Sequence, residues 1–577
     1  MTQASATAIP GARLRGFLLS AAGLLIYLGF RDYYFDDPFI TYRVAENLAR
    51  GAGWVYNPGE HVNATTSPLW TLLLAGLHRL TGLPLPSLGP TLSILFLILA
   101  SELLARSLQF SSRGAADGGA AAPSRFLPTL AALFVVLNPH FAMTAGMETM
   151  LLFVLSLAAL LTYQQERWKL TGFFLSLAIL ARMDVAVLAL ILALHFLFTR
   201  KRIFPLAAIL AFLIPLLLWF GFSFWYFGEF QPATLAVKIA QRQSGGHWGA
   251  GYILLNHLGL ILATAFLTWD PLNLLLLAFL GLGFATLARQ RSFTGLCLLA
   301  WAAGHVLAYG IVLNVPGYAW YFAPVFLALQ VVLAVGMVRL AQSRAWVSRV
   351  WLFLILAILG FWAVAWFGFD SQRIDRVLTP VHISHIFFYL ALFPFALLGL
   401  KPFAGRKSWA ALALILLAAA AVVPRNWNGW IQAKTFPPTQ YRNYPLAAKW
   451  ITQNLPNAKS VGADEIGILG YYLPDRVIVD QCGIPTPGAA AHLAKGDYVW
   501  WIERYRPDAL VLHPARDWWW QLEDPIKQAP WFERAYRLRV TLEADNPGPP
   551  WGKHAVEIWE KVNEGAIPLV GKGGETR

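Results

Sequence analysis

The sequence predicts a polytopic α-helical membrane protein that carries a C-terminal α/β domain, and three observations predict it. The 577 residues are 57% hydrophobic and only 13% charged, with a mean hydropathy of +0.52, a balance typical of bilayer-spanning chains. Apolar runs long enough to cross about 30 Å of hydrocarbon recur from residue 14 to residue 424. After 424 these runs stop, and short strand and amphipathic-helix patterns replace them. The chain thus divides into a membrane part, 1–424, and a C-terminal domain, 425–577.

In chain order, Arg13 and Arg15 precede the first apolar run. No small-residue cleavage site separates that run from the aromatic stretch RDYYFDD, so it reads as an uncleaved first span, 14–30. Further spans are predicted near 88–108, 127–143, 149–163, 170–182, 185–199, 203–227, 270–288, 293–313, 321–339, 350–368, 386–400 and 408–424. Two are short enough to form a hairpin, which leaves about 11–13 crossings. The run 67–82, SPLWTLLLAGLHRLTG, contains His78 and Arg79 and reads as an amphipathic helix lying on the outer surface, within an outer loop of residues 31–87. The run 252–268 is ambiguous in the same way, and GAADGGAAAPS reads as a flexible connection.

Charge orients these spans. The net charge is +14, and the membrane part holds 27 of the Lys and Arg against 14 Asp and Glu, whereas the C-terminal domain holds 18 against 17. With the N-terminus inside, alternate connections such as QQERWK, TRKR, ARQRS and KPFAGRK are cytoplasmic and basic. The opposite side carries Asp36, Asp37, Glu60, Glu148, Asp184 and Glu229. The basic excess therefore reports topology and excludes nucleic acid as the partner. An odd number of spans places the C-terminal domain outside. There, PLAAKWITQNLP reads as a helix, KSVGADEIGILGYYLPDRVIVDQCG as strand, Gly-rich turn, helix and strand, and RPDALVLHP as a buried strand. Cys297 and Cys482 fall in a span and in this domain respectively, which argues against a disulfide.

The residues that could carry chemistry lie on the acidic side. In the loop 36–70, Phe39, Tyr42, Val44 and Leu48 have helical spacing, and Pro38 suits a helix start. Asp36 and Asp37 then sit at a helix N-terminus, where a carboxylate is favoured. That accounts for one aspartate and not for two in an aromatic setting, so the pair reads as either a cap or a general base, with the two side chains in different roles. Glu148 opens a span, and Arg182 and Asp184 join two short ones. Each is an ordinary structural charge taken singly, but together they face the same outer cavity. Lys238 and Arg242, four apart, share a helix face and suit a lipid-linked phosphate. Tyr318, in GYAWYF, and His247 are carried as substrate contacts. An aromatic belt is the plainer reading of the first, and the scattered His61, His78 and His247 have no metal spacing. His382 and His385, in HISH, form a weak metal signal. Asp464 and Glu465 read equally as a ligand loop or as a strand–turn–helix junction. P-loop, GxGxxG and GxSxG motifs with the required context are absent, so a nucleotide donor has no site.

The first-loop residues also carry a resemblance. DDPFITYRVAENLARGAGWVYNPGEHVNATTSPLW resembles the first outer loop of GT-C membrane glycosyltransferases. More narrowly, it resembles the mycobacterial terminal arabinofuranosyltransferases and the related pilin arabinosyltransferases, in Asp36, Asp37, Arg43, Asn47, Gly51, Gly53, Asn57, Gly59, Glu60, Thr66, Ser67 and Trp70. AGMET, YFGEFQPATLAVK and DEIGILGYYLPDRVIVDQCG resemble later segments of the same group. The chain departs from the mycobacterial pattern at Pro58 and at Val62-Asn63-Ala64, so the exact sugar and acceptor do not carry over.

The resemblance implies a GT-C fold, a polyprenyl-phosphate sugar donor with D-arabinofuranose as the expected sugar, and a loop aspartate as base on the periplasmic face of the inner membrane. Arg43, Glu60, Glu148, Arg182, Asp184, His247 and Tyr318 would contact substrate, Lys238 and Arg242 the donor phosphate, and a glycan or pilin hydroxyl would accept the sugar. A divalent cation between carboxylates stays open, and no other cofactor is implied. A transporter or flippase for a lipid-linked sugar is the alternative of another class. It would set its charges at mid-helix and need no C-terminal domain, whereas here the charges cluster at helix ends.

Overall fold

A computed structural model of the chain describes residues 9–30, 35–117, 127–142, 144–244, 252, 254–256, 258–259, 271–341, 439–514, 520–543 and 555–568. The spans predicted near 350–368, 386–400 and 408–424, most of the run 252–268, His247, the HISH pair, and the aromatic neighbours Tyr33 and Tyr34 lie outside the described residues.

The described part is a bundle of apolar helices capped by a mixed-sheet domain. Helix α1 is Ile9–Phe30, α2 Asp37–Ala49, α3 Pro68–Thr81, α4 Leu85–Asp117 and α5 Leu127–Val136. They are followed by α6 Thr149–Gln164, α7 Trp168–Ala181, α8 Ala186–Arg200, α9 Leu206–Phe227 and α10 Ala233–Ser244. The bundle continues with α11 Pro271–Gln290, α12 Phe293–Val306 and α13 Ala323–Ala341. Among the described residues, five helical stretches are long and apolar enough to cross a membrane: Leu85–Ser111, Met183–Arg200, Leu206–Phe227, Phe293–Val312 and Trp320–Arg339. The run 67–82 is helix α3, with Trp70 and Leu74 buried and Leu72 and Leu80 exposed, the two-sided pattern its sequence predicts.

Antiparallel turns sort the chemistry to opposite ends. At one end Gln164 on α6 donates to Ser111 on α4 (2.6 Å) and to Thr294 on α12 (3.0 Å). The basic connections with Arg167, Arg200 to Arg202, Arg289 and Arg291 fall at that end. At the other end lie Glu148, Arg182, Asp184 and the first loop. Helices close where side chains vanish: α11 meets α13 with Gly283 against the backbone of Val332 and Gly336 against that of Phe279, leaving no room for a Cβ at either.

The C-terminal domain begins with α14, Thr439–Asn454, and contains the short helix α15, Gly467–Tyr472. Its five strands are β1 Ser460–Ala463, β2 Val477–Asp480, β3 Ala509–Leu512, β4 Tyr536–Glu543 and β5 Ala555–Lys561, in the order β2-β1-β3-β5-β4. The first three pair in parallel, with Val461 opposite both Ile478 and Ala509. β5 then adds antiparallel to β3, and β4 antiparallel to β5. The strand–turn–helix–strand reading of KSVGADEIGILGYYLPDRVIVDQCG and the strand in RPDALVLHP match β1, α15, β2 and β3. The hairpin β4–β5 was not read, because β4 (YRLRVTLE) is largely exposed and offers no buried face to signal a strand.

One apolar core runs from the bundle through the first loop into this domain. Phe39 and Tyr42 of α2 share it with Ile468, Leu469 and Tyr444, and Phe39 meets Tyr471 edge-on at 5.5 Å between ring centroids.

Candidate active site

The first loop is a seat for the C-terminal domain. Asp36 and Arg43 are seven residues apart, about 10 Å along a helix, and α15 with six residues is about 9 Å long. That match lets one face of α2 hold both ends of α15. The Asp36 carboxylate accepts the amide N–H of Gly467 (2.6 Å) and of Ile468 (2.7 Å). Arg43 donates to the carbonyls of Gly470, Leu473 (3.2 Å) and Arg476 (2.7 Å) at the opposite end, and to that of Tyr56 (2.7 Å). Both residues are 2% exposed. Free N–H groups at a helix start favour an anion and free carbonyls at its end a cation, so the pairing has the favourable sense. Gly467 lies against the Asp36 backbone carbonyl, where a Cβ has no space.

The rest of the loop continues the seat. The Tyr56 hydroxyl donates to the Ile466 carbonyl (2.6 Å). The Asn57 side-chain amide exchanges two hydrogen bonds with the backbone of Ile478 (2.9 and 3.0 Å), pairing with the edge strand β2 as a further strand residue would. Glu60 accepts from Asn57 (2.9 Å). Arg43 and Glu60, expected at the substrate, therefore lie at the seam between loop and domain. Asp36 is a cap, but of α15 and not of its own helix, to which its side chain makes no capping bond.

Asp37, one residue on, has different partners, as the divergence of adjacent side chains predicts. Lys238 on α10 is the cation that most favours its ionised form, and the charge of Asp37 is felt in turn at Tyr318, Tyr321, Glu148 and Glu465. Burial raises the Asp37 carboxyl above the usual range, and Lys238 opposes the rise. Burial lowers Lys238, and Asp37 opposes that fall. The Lys238 ammonium sits 3.8 Å from the centre of the Tyr318 ring, and the Tyr318 hydroxyl donates to Gln241 (3.2 Å). Trp320 stacks on Phe35 beside the aspartates, with centroids 6.1 Å apart. Arg242 departs from the expected shared face: it is exposed, and donates weakly to the Leu313 carbonyl (3.4 Å). Four residues make 400°, a 40° offset with a rise of about 6 Å, and Lys238 is half-buried while Arg242 is exposed.

The ends of the spans supply a second layer. Gly146, at φ +97°, makes the turn before α6; its carbonyl accepts from Tyr42 (3.3 Å) and Trp70 (3.0 Å), which ties the first loop to the segment that presents Glu148. Arg182 binds Asp184 through Nε (2.9 Å) and Nη2 (2.5 Å), with Glu148 3.9 Å from Nη1. His305, wholly buried, lies 3.5 Å from Asp184 and bonds the Tyr321 carbonyl (2.8 Å). Glu148, Arg182 and Asp184 do come together, and sequence reasoning missed His305, a lone histidine inside the apolar run WAAGHVLAYG. It also missed Gln241, which adjoins the singled-out Arg242.

The C-terminal domain brings more acid. Burial raises Asp36 to about 6 against the two amide donors, and raises Asp480 to about 7 against three more. Burial also raises Asp464 and Glu465, with neighbouring carboxylates adding to the effect. Among the described residues no group of His, Cys, Asp and Glu is arranged to hold a metal ion.

These shifts have a sign. A carboxyl raised in the docked state binds its proton more tightly there, so the contribution of Asp36 to docking is full below about pH 4 and is lost as pH rises through about 6. Hydrogen exchange at Ile468, corrected for the intrinsic rate, is expected to show greater protection at about pH 5 than at about pH 8. Equal protection at both would show that the Asp36 contact opens independently of this proton.

Comparison with known proteins follows this geometry. Residues 434–559 match the family described as "Domain of unknown function (DUF8728)". Over 305 residues the chain is 29% identical to the terminal beta-(1->2)-arabinofuranosyltransferase of Mycobacterium tuberculosis. That match spans 48% of this chain and 45% of the relative, somewhat under half of its length. The fold is similar to the crystal structure of ArnT from Cupriavidus metallidurans in the apo state, with a TM-score of 0.55 and 14% identity over 94% of this chain and 97% of that one. The GT-C fold implied by the first loop is thus the fold of the structure, a helical membrane part with a small C-terminal sheet domain.

Proposed function

We propose that the chain is a glycosyltransferase that moves a sugar, D-arabinofuranose by its resemblance, from a polyprenyl-phosphate donor to a hydroxyl of an envelope glycan or pilin. The observation that carries this is the half-buried Asp37 beside the half-buried Lys238, where the first loop and α10 meet the C-terminal domain. A carboxylate and a cation among aromatic rings supply what the reaction needs. The acceptor hydroxyl gives its proton to Asp37, the acceptor oxygen bonds to the anomeric carbon, and the bond from that carbon to the phosphate oxygen breaks. Phosphate leaves well without an acid, and its charge meets Lys238, with the exposed Arg242 one turn on. Burial places the Asp37 carboxyl closer to neutral, which favours proton abstraction. Glu148, Arg182 and Asp184 form a fixed polar wall that orients the sugar, with Tyr318 stacked over Lys238. The relative's activity supports the sugar and the class of reaction, and the basic connections at the far end support a site on the periplasmic face of the inner membrane.

Membranes holding the full chain are expected to transfer arabinose from a polyprenyl-phosphoryl arabinose donor to an arabinan or pilin acceptor. Lys238→Met is expected to lower kcat/KM by about 10–100-fold, the loss of one charge-assisted contact to phosphate. Absence of transfer from any polyprenyl-phosphoryl sugar, in a preparation that holds the docked fold, would overturn the reading.

A further inference from the structure

α15 brings a third carboxyl to the aspartate pair. Glu465 lies two residues before Gly467, so the contact that seats α15 on Asp36 also delivers the Glu465 side chain from the C-terminal domain. Glu465 is half-buried and hydrogen-bonded to the Asp36 carboxyl. Two carboxyl groups bond only if one keeps a proton. Asp36 already accepts two backbone N–H groups, which favour its anion, so the proton belongs to Glu465. The groups that face Glu465 agree: Asp36 and Asp37 on α2 and Asp464 beside it are like charges, and Lys238 on α10 is the cation opposite, with Tyr318 as a neutral wall. Burial and these carboxylates push its proton affinity upward.

We propose that Glu465 is a positioning residue of the transfer site: as a neutral acid it donates to Asp36, holds α15 against the loop, and leaves Asp37 as the one carboxylate free to take the acceptor proton. The proposal rests on the reading of Asp37 as base. It makes the site composite, because the membrane part alone lacks the group that keeps its two adjacent aspartates from competing. Loss of the Glu465 proton adds a further anion beside Asp36 and Asp37 against a single ammonium, which loosens α15 and turns Asp36 away from its amide partners.

Two readouts on the full chain test it. The first is the infrared carbonyl band of a protonated carboxyl near neutral pH, as the difference between wild type and Glu465→Gln. A band lost with the substitution is expected, and its absence overturns the shared proton. The second is kcat/KM from about pH 6 to about pH 9, where an acid limb comes from the base and an alkaline decline from Glu465 together with Lys238. Glu465→Gln keeps a donor and is expected to stay within about threefold of wild type at neutral pH, with the alkaline decline moved to higher pH, where only Lys238 is left to titrate. Glu465→Ala is expected to fall about tenfold or more and to lose exchange protection at Ile468. A glutamine variant as inactive as one lacking Asp37, or an alanine variant with the wild-type profile, overturns the positioning role. Wild-type chain without transfer overturns the proposed function and the positioning role with it, and the difference band still decides whether the proton is shared.

Discussion

Asp37→Asn is expected to lower sugar transfer by about 10²–10⁴-fold, the usual contribution of a positioned general base, with the fold unchanged. Asparagine keeps the size of the side chain and removes the charge that faces Lys238. The loss should appear in kcat, because the proton moves only as the acceptor attacks, while binding of the donor is kept or tightened as Lys238 loses its partner. Asp36→Asn gives the contrasting result. Its oxygens accept two backbone amides, and an asparagine can keep one such bond and not both. The expected outcome is partial activity and weaker docking of α15. If the two results were exchanged, with Asp36→Asn abolishing turnover in a docked protein, the assignment of base and cap would be reversed.

The second large effect is structural. Arg43→Met is expected to release the C-terminal domain from its seat. The substitution keeps much of the stem and removes every donor, leaving the carbonyls of Tyr56, Leu473 and Arg476 without Arg43. Tyr56 and Leu473 keep second donors in the Asn47 side chain and the Arg476 amide, so the loss is that of the charge-assisted bonds, about 1.5–3 kcal/mol each, enough in sum to open the seam. Limited proteolysis and hydrogen exchange should then find residues 467–478 protected in wild type and exposed in the variant. Arg43→Lys should behave much like methionine, since an ammonium cannot reach carbonyls that a planar fork spans. Unchanged protection in both would show that the shared apolar core around Phe39 and Ile468 holds the domain without the polar clamp.

Much of the bundle was legible because apolar runs and the charge of their connections are local signals. The same holds for α3 and for the β1–α15–β2 pattern. Asp36 shows where local reading stops. Its place before Pro38 signals a cap, but the helix it caps begins 431 residues later. No spacing in the sequence joins the two. Arg43 and Glu60 carry charge beside a suspected site, and only the seat reveals that they serve the seam. Lys238 lies on a short amphipathic helix, a local signal, and sits beside Asp37. Its partner Arg242 was misjudged as an equal because a four-residue spacing is not a full alignment. His305 gave no signal, since one histidine within an apolar span has no period to mark it.

The Asn57 amide, paired with the backbone of Ile478, has a consequence for engineering. It occupies the open edge of the sheet with a side chain that belongs to the first loop. The clamp on α15 likewise belongs to residues 36 and 43. A C-terminal domain exchanged between related chains would therefore arrive without its socket. The portable unit is the domain together with the stretch from Asp36 to Glu60, and chimeras joined only near residue 439 should assemble poorly until that stretch travels with the domain.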